Sequence, residues 1–309
     1  MIKVALVFPG QGAQKVGMGR EFFEASPPAR AVFEEADRIL KNDFTQVLFE
    51  GPAEKLTSTA YCQPAILAMS IAALKAAQAH PFFKNISVSY TAGLSLGEYS
   101  ALVAADALTF EEALRLVQRR AALMEAAAQE HTGKMAAVIG FEREKLMAVC
   151  RQTGAEVANF NSPEQIVITG GAAQVEEAVR QIQTQGAKSV IPLDVSGAFH
   201  SSLMKTAAAN FSKHLTAVSI KNPRYPVVTN VDASPQTDSR RIKDNLARQI
   251  TSSVQWVATI EYMAAQGIEK FIEIGPGKVL RGLIRRIHPS ALIHNIEKPA
   301  DLENLAALG

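Results

Sequence analysis

Apolar positions along the chain follow two rhythms. The first is a set of short runs closed by turn residues: Val4 to Phe8 ends on Pro9-Gly10, and Ile86, Val88 and Tyr90 alternate with serines before Gly93. Such runs predict strands. The second is helical. Val32, Phe33, Ala36, Ile39 and Leu40 fall on one face of a segment that Ser26 can cap and Pro27 and Pro28 can open. Strand, turn and amphipathic helix alternate in this way through the first part of the chain, the pattern of a mostly parallel sheet with helices on its faces.

Near residue 129 the texture changes. Strands are predicted from Met135 to Ile139, Glu156 to Asn159, Gln165 to Thr169 and Ser189 to Leu193, with one helix from Glu142. A second helix puts Val175, Ala178, Val179 and Ile182 on one stripe and stops at Gly186, a left-handed cap. The order βαββαβ predicts a ferredoxin-like unit. The expected architecture is therefore α/β: a large domain of residues 1–128 and 197–309 with a mostly parallel sheet and a hydrolase-like serine elbow, and an inserted ferredoxin-like small domain of residues 129–196. Beyond the insertion, Phe271 to Ile274 predicts a strand closed by Gly275-Pro276-Gly277, followed by a basic helix through Arg286.

Composition narrows the function classes. With 309 residues, 48% hydrophobic and 20% charged, the chain can bury a large core. A formal charge of +2 gives no general affinity for nucleic acid or an anionic membrane. Cys62 and Cys150 form no C-x-x-C pair, so neither a disulfide framework nor a zinc site is predicted, which suits the cytoplasm. The first apolar run is too short for a signal peptide, and the longest other one, Ala65 to Leu74, falls far below the roughly 20 residues of a membrane span. Phosphate loops fail too: G-x-G-x-x-G needs glycine where Lys15 stands, and Val279 follows the lysine of Gly275-Pro276-Gly277-Lys278.

The candidate chemistry centres on Gly93-Leu94-Ser95-Leu96-Gly97, a G-x-S-x-G between a predicted strand and a predicted helix. A serine hydroxyl needs a base, and of six histidines two draw interest. His200 lies in the small-residue loop Ser196 to Ser202, where a cleft between domains is expected, although position alone leaves a structural role equally open. His294 sits where an esterase of the α/β-hydrolase kind keeps its base. Gln11, in the turn after the first strand, can offer a backbone N–H to an oxyanion beside that of Leu96. Arg119 and Arg120 point about 100° apart on a helix, so at most one faces a cleft; from the residues alone both read as surface arginines. Arg281, Arg285 and Arg286 read as solvated charge.

Taken together, FPGQG at Phe8 to Gly12, GLSLGEYSAL at Gly93 to Leu102, LVQRR at Leu116 to Arg120, GAFHSSLM at Gly197 to Met204 and EIGPGKVL at Glu273 to Leu280 resemble the malonyl-CoA:acyl carrier protein transacylase family. The resemblance implies transfer of malonyl from malonyl-CoA to acyl carrier protein for fatty acid synthesis, with no cofactor and no metal. It implies Ser95 as nucleophile, His200 as base, Gln249 orienting that base through its backbone carbonyl, and the amides of Gln11 and Leu96 as oxyanion hole. It further implies that Arg120 binds the malonyl carboxylate and that Phe199 crowds a branched acyl group. A monomer is expected, with no nucleic-acid or membrane partner. Two positions depart from the family: Leu94 replaces the usual histidine and Ala121 the usual glycine. GLSLG also occurs in stand-alone acyltransferases of polyketide assembly. The rival classes are a thioesterase using His288 or His294 without Arg120, and a non-catalytic carrier-binding subunit built on the helix around Arg285.

Overall fold

The computed structural model describes residues 1–41 and 43–308. Its strands are β1 Ile2–Phe8, β2 Ile86–Gly93, β3 Gly133–Ile139, β4 Glu156–Ser162, β5 Gln165–Gly171, β6 Ser189–Pro192, β7 Val227–Val228, β8 Pro235–Gln236, β9 Lys270–Ile274 and β10 Leu292–Ile296. They form two sheets, one ordered β10-β9-β1-β2-β7-β8 and one ordered β4-β5-β3-β6. All pairings in the first are parallel except the last, β7 with β8. The fold is thus α/β with a mostly parallel sheet.

β1 reads as an unbroken apolar run because both of its faces are buried. Val4, Leu6 and Phe8 enter a core with helices Pro27–Leu40, Thr59–Ala79 and Phe110–Glu130, whereas Ala5 and Val7 face Trp256, Ile260 and Leu280 on the other side. Helix Thr59–Ala79 is long and apolar enough to cross a bilayer by composition, but 83% of its most apolar window is buried inside the protein. It is a central core helix, longer than the Ala65 to Leu74 run suggested. Short helix Arg20–Ala25 precedes the one opened by Pro27, and Ser26 caps the latter as expected, its Oγ accepting the Ala29 N–H.

The second sheet is antiparallel throughout and carries helices Arg143–Thr153 and Ala172–Thr184 on one face. Ala136 and Val138 of β3 meet those helices, while Met135 and Ala137 pack into the large core. One strand therefore ties the two layers together. A second tie joins β4 to the segment after helix Ser239–Gln249: Phe160 N–H donates to Val254 O (2.9 Å) and Val254 N–H to Ala158 O (2.8 Å). The helix containing Arg120 opens with a reciprocal cap between Thr109 and Glu112 and continues to Glu130. Caps of this kind stabilise a helix by about 1 kcal/mol.

Candidate active site

β1 and β2 end level, with Phe8 opposite Gly93, so the turns after the two strands lie side by side. Leu94 N–H donates to Phe8 O at 3.1 Å. A Cβ on Gly93 would stand 2.0 Å from the Gly97 carbonyl, and one on Gly97 would stand 2.1 Å from Phe8 O. Glycine at both positions lets the strand, the turn and the following helix touch. Between them Ser95 is left-handed, with φ at 51°. For a residue with a Cβ this costs about 1–2 kcal/mol, and long-range bonds hold it there. Ser95 N–H donates to Asn230 Oδ1 (2.6 Å), Asn230 Nδ2 donates to Gly93 O (2.7 Å), and Gln249 Nε2 donates to Ser95 O (3.1 Å). Helix Gly97–Ala104 starts two residues on and aims the positive end of its dipole at the turn.

His200 is also left-handed, with φ at 57°. Its loop is pinned to β5 by Thr169 Oγ1, which donates to Phe199 O at 2.9 Å. The ring Nε2 lies 2.8 Å from Ser95 Oγ. Nδ1 faces two carbonyls, Gln249 O at 2.8 Å and Ser252 O at 3.2 Å. Carbonyls only accept, so the proton sits on Nδ1 and Nε2 is free to accept from the serine. Burial, with the Arg120 charge as a second cause, pulls the His200 pKa down to about 4, so the ring is neutral at physiological pH.

Arg120 corrects the surface expectation: it is 1% exposed, whereas Arg119 beside it faces solvent. Nη1 donates to Gln63 Oε1 (2.8 Å), and Nη2 donates to Gln249 Oε1 and Ser95 Oγ (3.1 Å each). Nε has no partner among the described residues. Burial lowers the Arg120 pKa from its usual value, but guanidinium stays charged. Glu98 lies behind the turn with no exposure, and burial pushes its carboxyl up to about 7.

These groups surround a cavity of about 320 Å³ lined by Gln11, Ser95, Leu96, Arg120, Phe199 and His200. Neither the Gln11 nor the Leu96 N–H has a hydrogen-bond partner among the described residues. Leu94 also lines it, as do Met124 and Leu193. Every site residue expected from the sequence is at the cavity except Gln249, which stands behind Ser95 and Arg120. His294 is on β10, at the edge of the sheet and two strands away from β1, and does not line the cavity. Arg285 and Arg286 face solvent. Among the described residues no group of His, Cys, Asp and Glu could hold a metal ion. Sequence reasoning missed Gln63, Glu98 and Asn230. Only Glu98 carried a signal, its position directly after the serine turn.

Residues 5–298 match the acyl transferase domain family. The chain belongs to that family. Malonyl CoA-acyl carrier protein transacylases from Staphylococcus aureus and Bacillus subtilis are 41% and 43% identical over 308 and 310 residues, covering 98% of this chain and 98% and 96% of theirs. The acyltransferase superposes on acyl-carrier-protein-S-malonyltransferase from Bartonella henselae with a TM-score of 0.94, at 38% identity and with all of both chains covered. It is also similar to a malonyl-transacylase solved in complex with a type II polyketide synthase acyl-carrier protein (TM-score 0.93, 37% identity, 99% of this chain and 100% of that one).

Proposed function

We propose that the enzyme transfers malonyl from malonyl-CoA to the phosphopantetheine thiol of an acyl carrier protein, in two half-reactions through an ester on Ser95. The observation that carries this is the convergence of a neutral histidine nitrogen at 2.8 Å and a buried guanidinium at 3.1 Å on one serine oxygen. His200 Nε2 takes the Ser95 proton as Oγ attacks the thioester carbonyl. The developing oxyanion meets the free amides of Gln11 and Leu96, and collapse expels the CoA thiolate, which takes the proton back from His200. In the second half-reaction His200 deprotonates the carrier thiol, its sulfur attacks the ester, and Ser95 leaves as the hydroxyl.

Arg120 supplies the choice of acyl group. Its two Nη groups now bond neutral amide and hydroxyl oxygens, which a malonyl carboxylate displaces in favour of stronger charge-assisted bonds. Phe199 and Leu94 bound the remaining space and disfavour a branch at C2. The thioester is already activated, so the chemistry calls for no cofactor. We read Gly93 to Gly97 as a hydrolase-like serine elbow, residues 129–196 as a ferredoxin-like small domain and residues 1–128 with 197–309 as the catalytic domain. A monomer is the reading we keep for the assembly, and the free buried Cys62 and Cys150 suit the cytoplasm. Supply of fatty acid synthesis is the preferred role, because the curated relatives match end to end; the polyketide complex keeps polyketide supply as the second reading. The position of His294 and the use of carbonyls in place of a triad acid speak against a thioesterase.

Purified protein mixed with malonyl-CoA and a phosphopantetheinylated carrier is expected to gain a malonyl mass on Ser95 and then pass it to the carrier. Release of free malonate without carrier labelling would mean a hydrolase. The pH dependence offers a separate check. An ordinary histidine loses half its base form at about pH 6.5, whereas His200, held near 4, stays a base well below that. The acid limb of acylation is expected to bend near pH 4 to 5; a bend near 6.5 would assign the proton transfer to a solvated group.

A further inference from the structure

Glu98 is a carboxylate without any exposure, at the second position of helix Gly97–Ala104 and three residues past Ser95. Its Oε2 accepts two bonds, from Asn230 N–H (2.9 Å) and from Gln249 Nε2 (2.8 Å), while Oε1 has no partner among the described residues. Both partners act on Ser95. The Asn230 side chain clamps the Ser95 N–H, and the Gln249 amide holds the Ser95 carbonyl and accepts from Arg120. The backbone of Gln249 meets His200 Nδ1. One oxygen thus links the segment after β7, the end of helix Ser239–Gln249 and the serine turn.

We propose that Glu98 is a positioning residue for acyl transfer, its Oε2 fixing Asn230 and Gln249 and, through them, the strained Ser95 backbone, the His200 ring and the Arg120 guanidinium. This rests on Ser95 being the nucleophile. Ser95 and His200 both hold left-handed backbones, conformations that persist only when their surroundings over-determine them. A displacement of about 1 Å at reacting atoms costs on the order of a hundredfold in rate. The role is that of an acceptor and not of a fixed counter-charge to Arg120. With its carboxyl pushed up to about 7, Glu98 is protonated in a large share of molecules near neutrality, and a proton on Oε1 leaves Oε2 able to accept both bonds.

Single-turnover malonylation of Ser95, followed by intact mass over a range of malonyl-CoA concentrations, tests this in wild type, Glu98→Gln, Glu98→Asp and Glu98→Ala. Removing the acceptor in Glu98→Ala, or retracting it by one methylene in Glu98→Asp, is expected to slow saturated acylation by about tenfold or more. Half-saturation should move by less than about threefold, because Arg120 and Gln63 remain. Glu98→Gln keeps an acceptor oxygen in place and should restore the rate to within about threefold of wild type. Thermal unfolding run alongside identifies folded variants; if Glu98→Ala does not fold, Glu98→Asp, which keeps the charge, decides. Wild-type rates in Glu98→Asp or Glu98→Ala overturn the proposal, as does a loss in Glu98→Gln equal to that in Glu98→Asp. A wild-type protein that forms no malonyl adduct overturns the Ser95 assignment as well, so the two failures are distinct.

Discussion

Ser95→Ala is expected to take up no malonyl group from malonyl-CoA and to lose transfer to the carrier by a factor on the order of 10⁵, with thermal stability close to that of the parent. No other hydroxyl bonds His200 Nε2 among the described residues, so on the proposed mechanism the loss of Oγ leaves the histidine nothing to deprotonate. Stability is retained because the bonds around Ser95 survive the change. Removing Oγ costs Arg120 Nη2 one acceptor but leaves it Gln249 Oε1, and leaves Nη1 bonded to Gln63. The clamps on the Ser95 backbone, from Asn230 and Gln249, involve main-chain atoms that alanine retains. Intact mass after incubation with malonyl-CoA, beside a thermal melt, checks both expectations. An adduct of unchanged yield in Ser95→Ala would place the nucleophile elsewhere.

How much of this was legible in the sequence depends on the range of the interactions involved. β1 could be read from Val4 to Phe8 because a strand buried on both faces is apolar without interruption. Helix Thr59–Ala79 could not, because it is apolar on nearly all sides and carries Pro64 inside, which hides the helical rhythm. β7 is only Val227–Val228, too short to stand out from a loop, and with it went Asn230, whose importance lies in contacts to residues more than 130 positions away. Gln63 was hidden for the same reason, by sitting on a helix whose partner at Arg120 is 57 residues distant.

The serine turn was legible because its glycines answer a local steric need, the near-contact of Gly93 with Gly97 and of Gly97 with Phe8. Arg120 is the instructive intermediate case. Its residue type argued for the surface, yet its spacing did not: Ala113, Val117, Arg120 and Met124 are all buried and follow one another at helical intervals of four, three and four. A charged residue on the apolar stripe of a helix is the signal that sequence patterning offers for a buried, paired cation, and Met124, one turn beyond Arg120, completes that stripe.

Arg120→Leu carries the largest expected shift in selectivity. Malonyl transfer should fall by about a thousandfold in kcat/KM, roughly 4 kcal/mol, whereas acetyl transfer should change by less than about tenfold. On the proposed mechanism the asymmetry arises because only malonate brings a carboxylate to the guanidinium, while both acyl groups share the serine, the histidine and the amides of Gln11 and Leu96. Acetyl transfer is not untouched, since Nη2 also bonds Ser95 Oγ and Gln249 Oε1. The same substitution removes a positive charge that helps hold the His200 pKa down. Without it the charged imidazolium is penalised less, the pKa rises, and the acid limb of acetyl transfer should move to higher pH. Side-by-side rates with malonyl-CoA and acetyl-CoA across pH measure both effects. Equal losses for the two acyl groups would strip Arg120 of its role in substrate choice and leave it only the role of holding Ser95 and Gln249 in place.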